Sequence, residues 1–186
     1  MAFVVGSIPT GLLLARSRGI DLQKVGSGNI GATNVLRTSG KWFAFLTLVG
    51  DMSKGAVSVL IAQHVQADIL SQGITGLCAV LGHNFSLFLK FRGGKGVATS
   101  FGMLLLYTPQ TALFTIIIWL LVLMITRYSS VGAVVSFGFL PISILFLDTK
   151  EKLPIAFLLS IMIFIRHKDN LIRLRNGTEH QIGKKK

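Results

Sequence analysis

The chain has 186 residues, 51% hydrophobic and only 14% charged, with a mean hydropathy of +0.66. Soluble domains carry about 25% charged residues, so this composition excludes an ordinary soluble protein and points to a chain that lives in a lipid bilayer. The net charge of +12 does not mark a nucleic-acid binder, because the basic residues fall in short connections between apolar stretches and not on one polar domain.

Apolar stretches run over residues 2–15, 43–63, 69–89, 97–107, 110–126, 131–147 and 153–165. A crossing takes about 20 residues, with about 17 the lower limit, so the first, fourth and seventh stretches are expected to be tilted, interfacial or broken. Pro9 is expected to kink the first stretch, and Pro109, Pro141 and Pro154 to mark boundaries or kinks. The predicted fold class is an all-α integral membrane protein of about seven transmembrane helices, forming a single membrane-embedded domain over 1–186. Most Lys and Arg lie in the connections 16–41, 90–95 and 127–129 and in the tail from Arg166; Lys54, Lys150 and Lys152 lie elsewhere. That bias makes the shared face cytoplasmic, with the N-terminus outside and the C-terminus cytoplasmic. A five-crossing version keeps both ends where they are. The first stretch lacks a basic leader, so no cleavable signal peptide is expected. The single cysteine, Cys78, excludes intrachain disulfides and cysteine-based zinc sites and is expected to pack as a small residue.

The first polar segment, after residue 15, contains Gly26-Ser27-Gly28-Asn29-Ile30-Gly31-Ala32-Thr33-Asn34, closed by Arg37. Glycines can present backbone N–H groups to an anion, and Ser27, Asn29, Thr33, Asn34 and Arg37 surround them with further donors. Gly26, Gly28 and Gly31 also imitate a dinucleotide fingerprint, with Asp51 at about the right distance. No convincing strand precedes them, however, and the segment after them is one long apolar run. Phosphate is the expected guest. Asp51 and Lys54 then stand three residues apart inside the second apolar stretch, where ionisable groups are costly. They are expected to pair with each other or to support the polar loop.

His83 and Asn84 end the third stretch; His83 is read as a hydrogen-bonded packing residue or as a direct participant in chemistry. The cluster Arg92-Gly93-Gly94-Lys95-Gly96 follows. It fails the Walker A spacing, yet glycines beside a lysine at the start of an apolar segment suit an anion at a helix N-terminus. The formal sequons at Asn84 and Asn176 are predicted on the cytoplasmic face and are chance matches. In the tail, His167, Asn170 and Arg173 share a helical face, where His167 could take a proton or bind phosphate. The same segment could hold anionic lipid, with Lys184, Lys185 and Lys186 contributing. Asp and Glu are few and scattered, so no multi-carboxylate metal site is expected. The donor-rich clusters bind anions and stabilise charge developing on oxygen. An organic-phosphate transporter is the rival reading, and it would need polar residues at mid-membrane depth on several helices.

These residues resemble the PlsY family, the bacterial membrane acyl-phosphate:glycerol-3-phosphate acyltransferases. The similarity covers Gly6-Ser7-Ile8-Pro9-Thr10-Gly11, Val25 to Arg37, Asp51 to Gly55, Gly82 to Asn84, Gly93 to Thr99, Arg127 to Ser130 and Arg166 to Glu179. The resemblance implies seven helices with an active site on the cytoplasmic side of the bacterial plasma (inner) membrane. It implies transfer of a fatty acyl group from acyl phosphate to the sn-1 hydroxyl of glycerol 3-phosphate, the first committed step of bacterial phospholipid synthesis. The products are 1-acyl-glycerol 3-phosphate and phosphate, and no metal or other cofactor is used. Ser27, Arg37, Lys95, His167 and Asn170 are implied as catalytic. Gly26, Ser27, Gly28, Asn29, Gly31, Thr33, Asn34, Arg37, Gly93, Gly94, Lys95 and Ser130 are implied to hold substrate phosphate. Asp51, Lys54, His83, Asn84 and Glu179 are implied as supporting residues. The enzyme that makes acyl phosphate is the implied partner. The general base stays open between His167 and a phosphate oxygen of the donor. Members of the family carry several more apolar residues before Gly6, so the first helix here is expected to be short.

Overall fold

A computed structural model describes residues 1–183, so Lys184 to Lys186 and the lipid contact expected of them lie outside the described residues. The described residues contain helices, turns and loops and no strand. They fall into two compact units, Met1–Tyr107 and Thr108 onward.

In the first unit, α1 (Ala2–Ser7) and α2 (Thr10–Arg16) are separated at Ile8 and Pro9. Pro9 lacks an N–H and cannot continue the helical ladder, so the expected kink is a full break. A polar loop leads into the short α3 (Ala32–Thr38). Beneath that loop, Leu12, Ala15, Leu22, Ile30, Val35 and Ala44 form a buried apolar cluster, flanked by Ile20, Leu36, Phe43 and Leu89. This cluster seats the loop on the helices and leaves its polar side chains to face outward or to bond among themselves. The 24-residue α4 (Lys41–His64) spans about 36 Å at 1.5 Å per residue, enough for a bilayer. α5 (Ile69–Asn84) follows, capped at Asp68 by a bond from the Ser71 N–H. A turn at 85–96 leads into α6 (Val97–Tyr107).

These helices pack backbone to backbone, through glycines. A Cβ at Gly55 of α4 would stand 2.0 Å from the Thr99 carbonyl oxygen of α6, and one at Gly102 of α6 would stand 1.9 Å from that of Met52. Gly6 and Gly82 do the same for α1 and α5, meeting the carbonyls of Ala79 and Phe3 at 2.0 and 2.1 Å. Lipid tails are as apolar as leucine, so burying leucine drives little association in a membrane, and close van der Waals approach at small residues takes its place.

In the second unit, α7 (Pro109–Thr126) begins with proline in its first turn, where a missing N–H costs nothing. The Thr108 hydroxyl donates to Asp148, which also pairs with Lys152 at 2.9 Å. α8 (Ser129–Gly138) and α9 (Leu140–Leu147) form a pair bent by 44° at Phe139, just before Pro141. α10 (Leu153–Arg166) packs against them, its Ser160 hydroxyl donating to the Phe137 carbonyl at 2.7 Å. His167 joins α10 to α11 (Lys168–Arg175).

Each apolar stretch seen in the sequence is helical over most of its length, with breaks at Ile8–Pro9 in the first, after Asn84 in the third and at Phe139 in the sixth. By length and composition α4 and α7 can each cross a membrane, and the bent α8–α9 pair is a third candidate. The large apolar side chains left exposed, among them Leu121, Met124, Ile125, Phe146 and Ile165, are the surface that lipid covers. The Gly102 contact makes a prediction. Gly102→Ala forces a methyl into the Met52 backbone and should cost about 1–3 kcal/mol of stability. Val57→Ile, which adds a methyl on an exposed face, should be near neutral. Thermal unfolding in detergent compares the two, and equal losses would disprove the close approach.

Candidate active site

The loop before α3 is wound around one buried amide. Asn34 accepts the Ser27 N–H at Oδ1 (2.9 Å) and donates from Nδ2 to the carbonyls of Asn29 (2.8 Å), Val25 (3.1 Å) and Leu22 (3.3 Å). Gly26 sits beside it at φ +61°, and a Cβ there would lie 2.1 Å from Asn34 Oδ1. Both the left-handed backbone and the contact therefore require glycine. Asn34, expected to hold phosphate, has its polar atoms engaged in shaping the loop. The Ser27 N–H bonds Asn34 and the Gly28 N–H bonds the Val25 carbonyl (3.1 Å), so these two amides also serve the loop. Ser27 and Arg37 are exposed, Asn29 and Thr33 half-buried. Thr33 and Arg37 are one turn apart on α3, away from the face that buries Asn34 and Val35.

The second glycine cluster is pinned to the end of α5. The Gly94 N–H donates to the His83 carbonyl (2.9 Å) and the Gly93 N–H to the Asn84 carbonyl (3.2 Å). Cβ atoms at Gly93 and Gly94 would stand 2.0 Å from the His83 carbonyl oxygen and 2.1 Å from His83 Nε2. Gly93 and Gly94, expected beside Lys95 at a phosphate, permit this close approach to the end of α5, and the half-buried Lys95 next to them carries the charge. On α4, Lys54 and Asp51 are buried and hydrogen-bonded at 2.5 Å, and His83 Nδ1 is 3.6 Å from the same Asp51 oxygen. Asn84 is fully buried, which closes its sequon to any glycan.

In the second unit the tail is organised by Glu179, whose side chain is 7% exposed. Its Oε1 accepts from Asn170 Nδ2 (2.6 Å) and the Ser130 hydroxyl (2.8 Å), and its Oε2 accepts from Arg173 Nε (2.9 Å). Burial pushes this carboxyl up, but those hydrogen bonds and the Arg173 charge outweigh it and hold it below the ordinary carboxylate range. Ser130, expected as a phosphate contact, has its hydroxyl proton on Glu179. Arg173 joins the cluster; its place one turn after Asn170 was the sequence signal. The Ile182 N–H, donating to the Arg127 carbonyl at 2.8 Å, ties down the end of the tail. His167 is buried, with Nδ1 2.8 Å from the Ile163 carbonyl oxygen. A carbonyl only accepts, so Nδ1 carries the hydrogen and Nε2 is the nitrogen able to take a proton. Among the described residues no group of three or more His, Cys, Asp or Glu side chains could hold a metal ion.

Residues 1–177 match the family model described as glycerol-3-phosphate acyltransferase. A glycerol-3-phosphate acyltransferase of Thermus thermophilus is 47% identical over all of this chain and 94% of its own length. That of Geotalea daltonii is 41% identical over 96% of this chain and 93% of its own. The crystal structure of PlsY, an integral membrane glycerol 3-phosphate acyltransferase, in its glycerol 3-phosphate form, superposes with a TM-score of 0.91 at 36% identity. It covers 98% of this chain and 92% of that one. The lysophosphatidic acid form gives 0.88 at 35% identity over the same shares. With the family model spanning nearly its whole length and relatives this similar end to end, the chain belongs to the PlsY family of integral membrane glycerol-3-phosphate acyltransferases.

Proposed function

We propose that this acyltransferase moves a fatty acyl group from acyl phosphate to the sn-1 hydroxyl of glycerol 3-phosphate, releasing 1-acyl-glycerol 3-phosphate and inorganic phosphate. The observation that carries the reading is the chemistry of its outward-facing polar residues. Ser27 and Asn29 on the loop before α3, Thr33 and Arg37 on α3 itself and Lys95 on the glycine turn are donors and cations, with no carboxylate among them. Both substrates carry phosphate, and an electropositive, donor-rich surface screens the repulsion between two anions. The relatives' names give glycerol 3-phosphate as acceptor, and a solved relative was crystallised in a lysophosphatidic acid form.

The hydroxyl oxygen attacks the acyl carbonyl carbon, the bond from that carbon to the phosphate oxygen breaks, and phosphate leaves with the electron pair. The hydroxyl proton passes either to His167 Nε2 or to an oxygen of the departing phosphate. His167 Nδ1 is bonded to a backbone carbonyl, a weaker support for an imidazole base than a carboxylate, which favours the second route. Acyl phosphate is already activated, so Ser27 serves as a phosphate ligand and no acyl-enzyme forms. Orienting the reactants can remove roughly 7–11 kcal/mol of barrier. Ser27, Arg37 and Lys95 bind and polarise; for His167 and Asn170 the catalytic role rests on the resemblance to the family. Glu179 is a positioning residue that holds Asn170. The protein sits in the bacterial inner membrane with seven crossings, N-terminus outside, and its active site at the cytoplasmic face. It takes its donor from the enzyme that makes acyl phosphate.

Purified protein in lipid mesophase or detergent should release phosphate from acyl phosphate only when glycerol 3-phosphate is present; release without acceptor, or no release, overturns the assignment. Lys95→Ala and Arg37→Ala should each lower kcat/KM roughly 10- to 100-fold, the loss of one charge-assisted contact. His167→Gln that keeps substantial turnover with an altered KM would exclude an obligatory histidine base.

Glu179 gives a pH test. Its folded-state pKa lies below the unfolded value, so its contribution is present in full above about pH 4.3 and is lost as pH falls through the lowered value. Glu179→Gln should therefore lower the melting temperature most near neutral pH, and the gap to wild type should narrow as pH falls below the ordinary carboxylate range of about 4.3. A constant gap across that range would mean that the carboxylate charge is not what holds the tail.

A further inference from the structure

The geometry points to His83 as a positioning residue for Lys95, with Asp51 and Lys54 as the buried pair that holds it. The inference rests on the reading of Lys95 as a substrate-phosphate ligand. It starts from a cost: an Asp–Lys pair in the middle of a membrane-crossing helix is desolvated, and a pair of well-packed apolar residues is often no less stable there. Asp51 and Lys54 pair at 2.5 Å through one carboxylate oxygen and one ammonium hydrogen, which leaves further polar capacity on both to be met inside the protein. His83 Nδ1, from α5, lies 3.6 Å from the Asp51 oxygen that Lys54 uses, and all three side chains are at most 5% exposed.

The other edge of that ring is where the pair's influence goes. Nε2 lies against Gly94, 2.1 Å from where a Cβ would stand, and the Gly94 N–H is hydrogen-bonded to the His83 carbonyl. Side chain and backbone of one residue thus grip the residue before Lys95. The α4–α6 contact at Gly55 and Gly102 fixes the helix that begins two residues after Lys95. Lys95 is held from both directions in the chain, and the His83 ring stands between Asp51 of α4 and the Gly94 backbone, packed against both. A lysine on a flexible stem is a poor ligand unless its backbone is fixed, because binding must then immobilise main chain as well as side chain. Fixing Gly94 removes the backbone part of that search.

A double-mutant cycle tests this on the full-length protein in detergent with acyl phosphate and glycerol 3-phosphate, with melting temperatures measured alongside. His83→Ala should lower kcat/KM about tenfold, raising the KM of whichever substrate Lys95→Ala affects. A merely structural role would instead reduce kcat at constant KM through a smaller folded fraction. The His83→Ala/Lys95→Ala double variant should match Lys95→Ala within about twofold, since residues acting as a unit are non-additive. Gly94→Ala, which removes no polar group, should mimic His83→Ala in the wild type and should be relieved when His83→Ala makes room for the methyl. Losses that multiply in the double variant, or a Gly94→Ala variant as active as wild type, overturn the positioning role while leaving Lys95 as a ligand. Should Lys95→Ala itself keep full activity, the reading of Lys95 falls and the positioning role with it. If His83→Ala does not fold, the Gly94→Ala/Lys95→Ala cycle gives the same answer.

Discussion

Inside a bilayer a polar group has no water to return to, so its own chain must supply every partner. The polar segments of this protein are built around that constraint. Two of them fold about one buried group that satisfies several others, the Asn34 amide for the loop before α3 and the Glu179 carboxylate for the tail, while the glycine turn hangs on two backbone carbonyls, those of His83 and Asn84, at the end of α5. Because a single group collects several bonds, the loops are ordered without long hydrophobic cores of their own. Substituting any hub would strand several donors together, which is why these positions matter more than their number suggests.

The glycines divide into two kinds with different physical jobs. Gly6, Gly55, Gly82 and Gly102 let helix backbones meet where apolar side chains offer no driving force. Gly26 and Gly94 instead sit against buried polar side chains, where a methyl would strike Asn34 or His83. The second kind fixes the backbone of the segments that carry Ser27 and Lys95. The rigid loop presents Ser27 and Arg37, and the rigid turn presents Lys95, so the flexible part of each ligand is only its side chain.

Much of this was legible in the residues. Hydropathy marked the long helices but not the short α3 and α11, and Pro9 and Pro141 stand where the helices break or bend, whereas Pro109 and Pro154 open helices, where a missing N–H costs nothing. The donor-rich loops were equally visible. Which donors turn inward was not, since Thr33, Asn34 and Arg37 look alike as phosphate ligands in a string of letters. The register of α3 decides it. Asn34 shares the buried arc with Val35, while Thr33 and Arg37 lie on the other side. Glu179 was readable only as a lone acid, because its partners come from positions as far back as Ser130. Non-local pairing of that kind leaves no local pattern.

The division between hub and ligand also bears on the choice of base. A group that serves as hub is locked in one charge state and one set of bonds, and a base must change both. Glu179 fills the first description: three donors hold it, and they stabilise it only as a carboxylate. His167 has its Nδ1 fixed on the Ile163 carbonyl, which sets its tautomer and leaves its chemistry to Nε2. A backbone carbonyl, unlike a carboxylate, carries no full negative charge to stabilise an imidazolium, so His167 is oriented more than it is activated. A substrate phosphate already carrying negative charge is a competitive alternative, and it needs only donors to aim it. Donors are what Ser27, Asn29, Arg37 and Lys95 supply in abundance. A substrate's own base, held in place by donors, spares the protein a buried carboxylate behind His167.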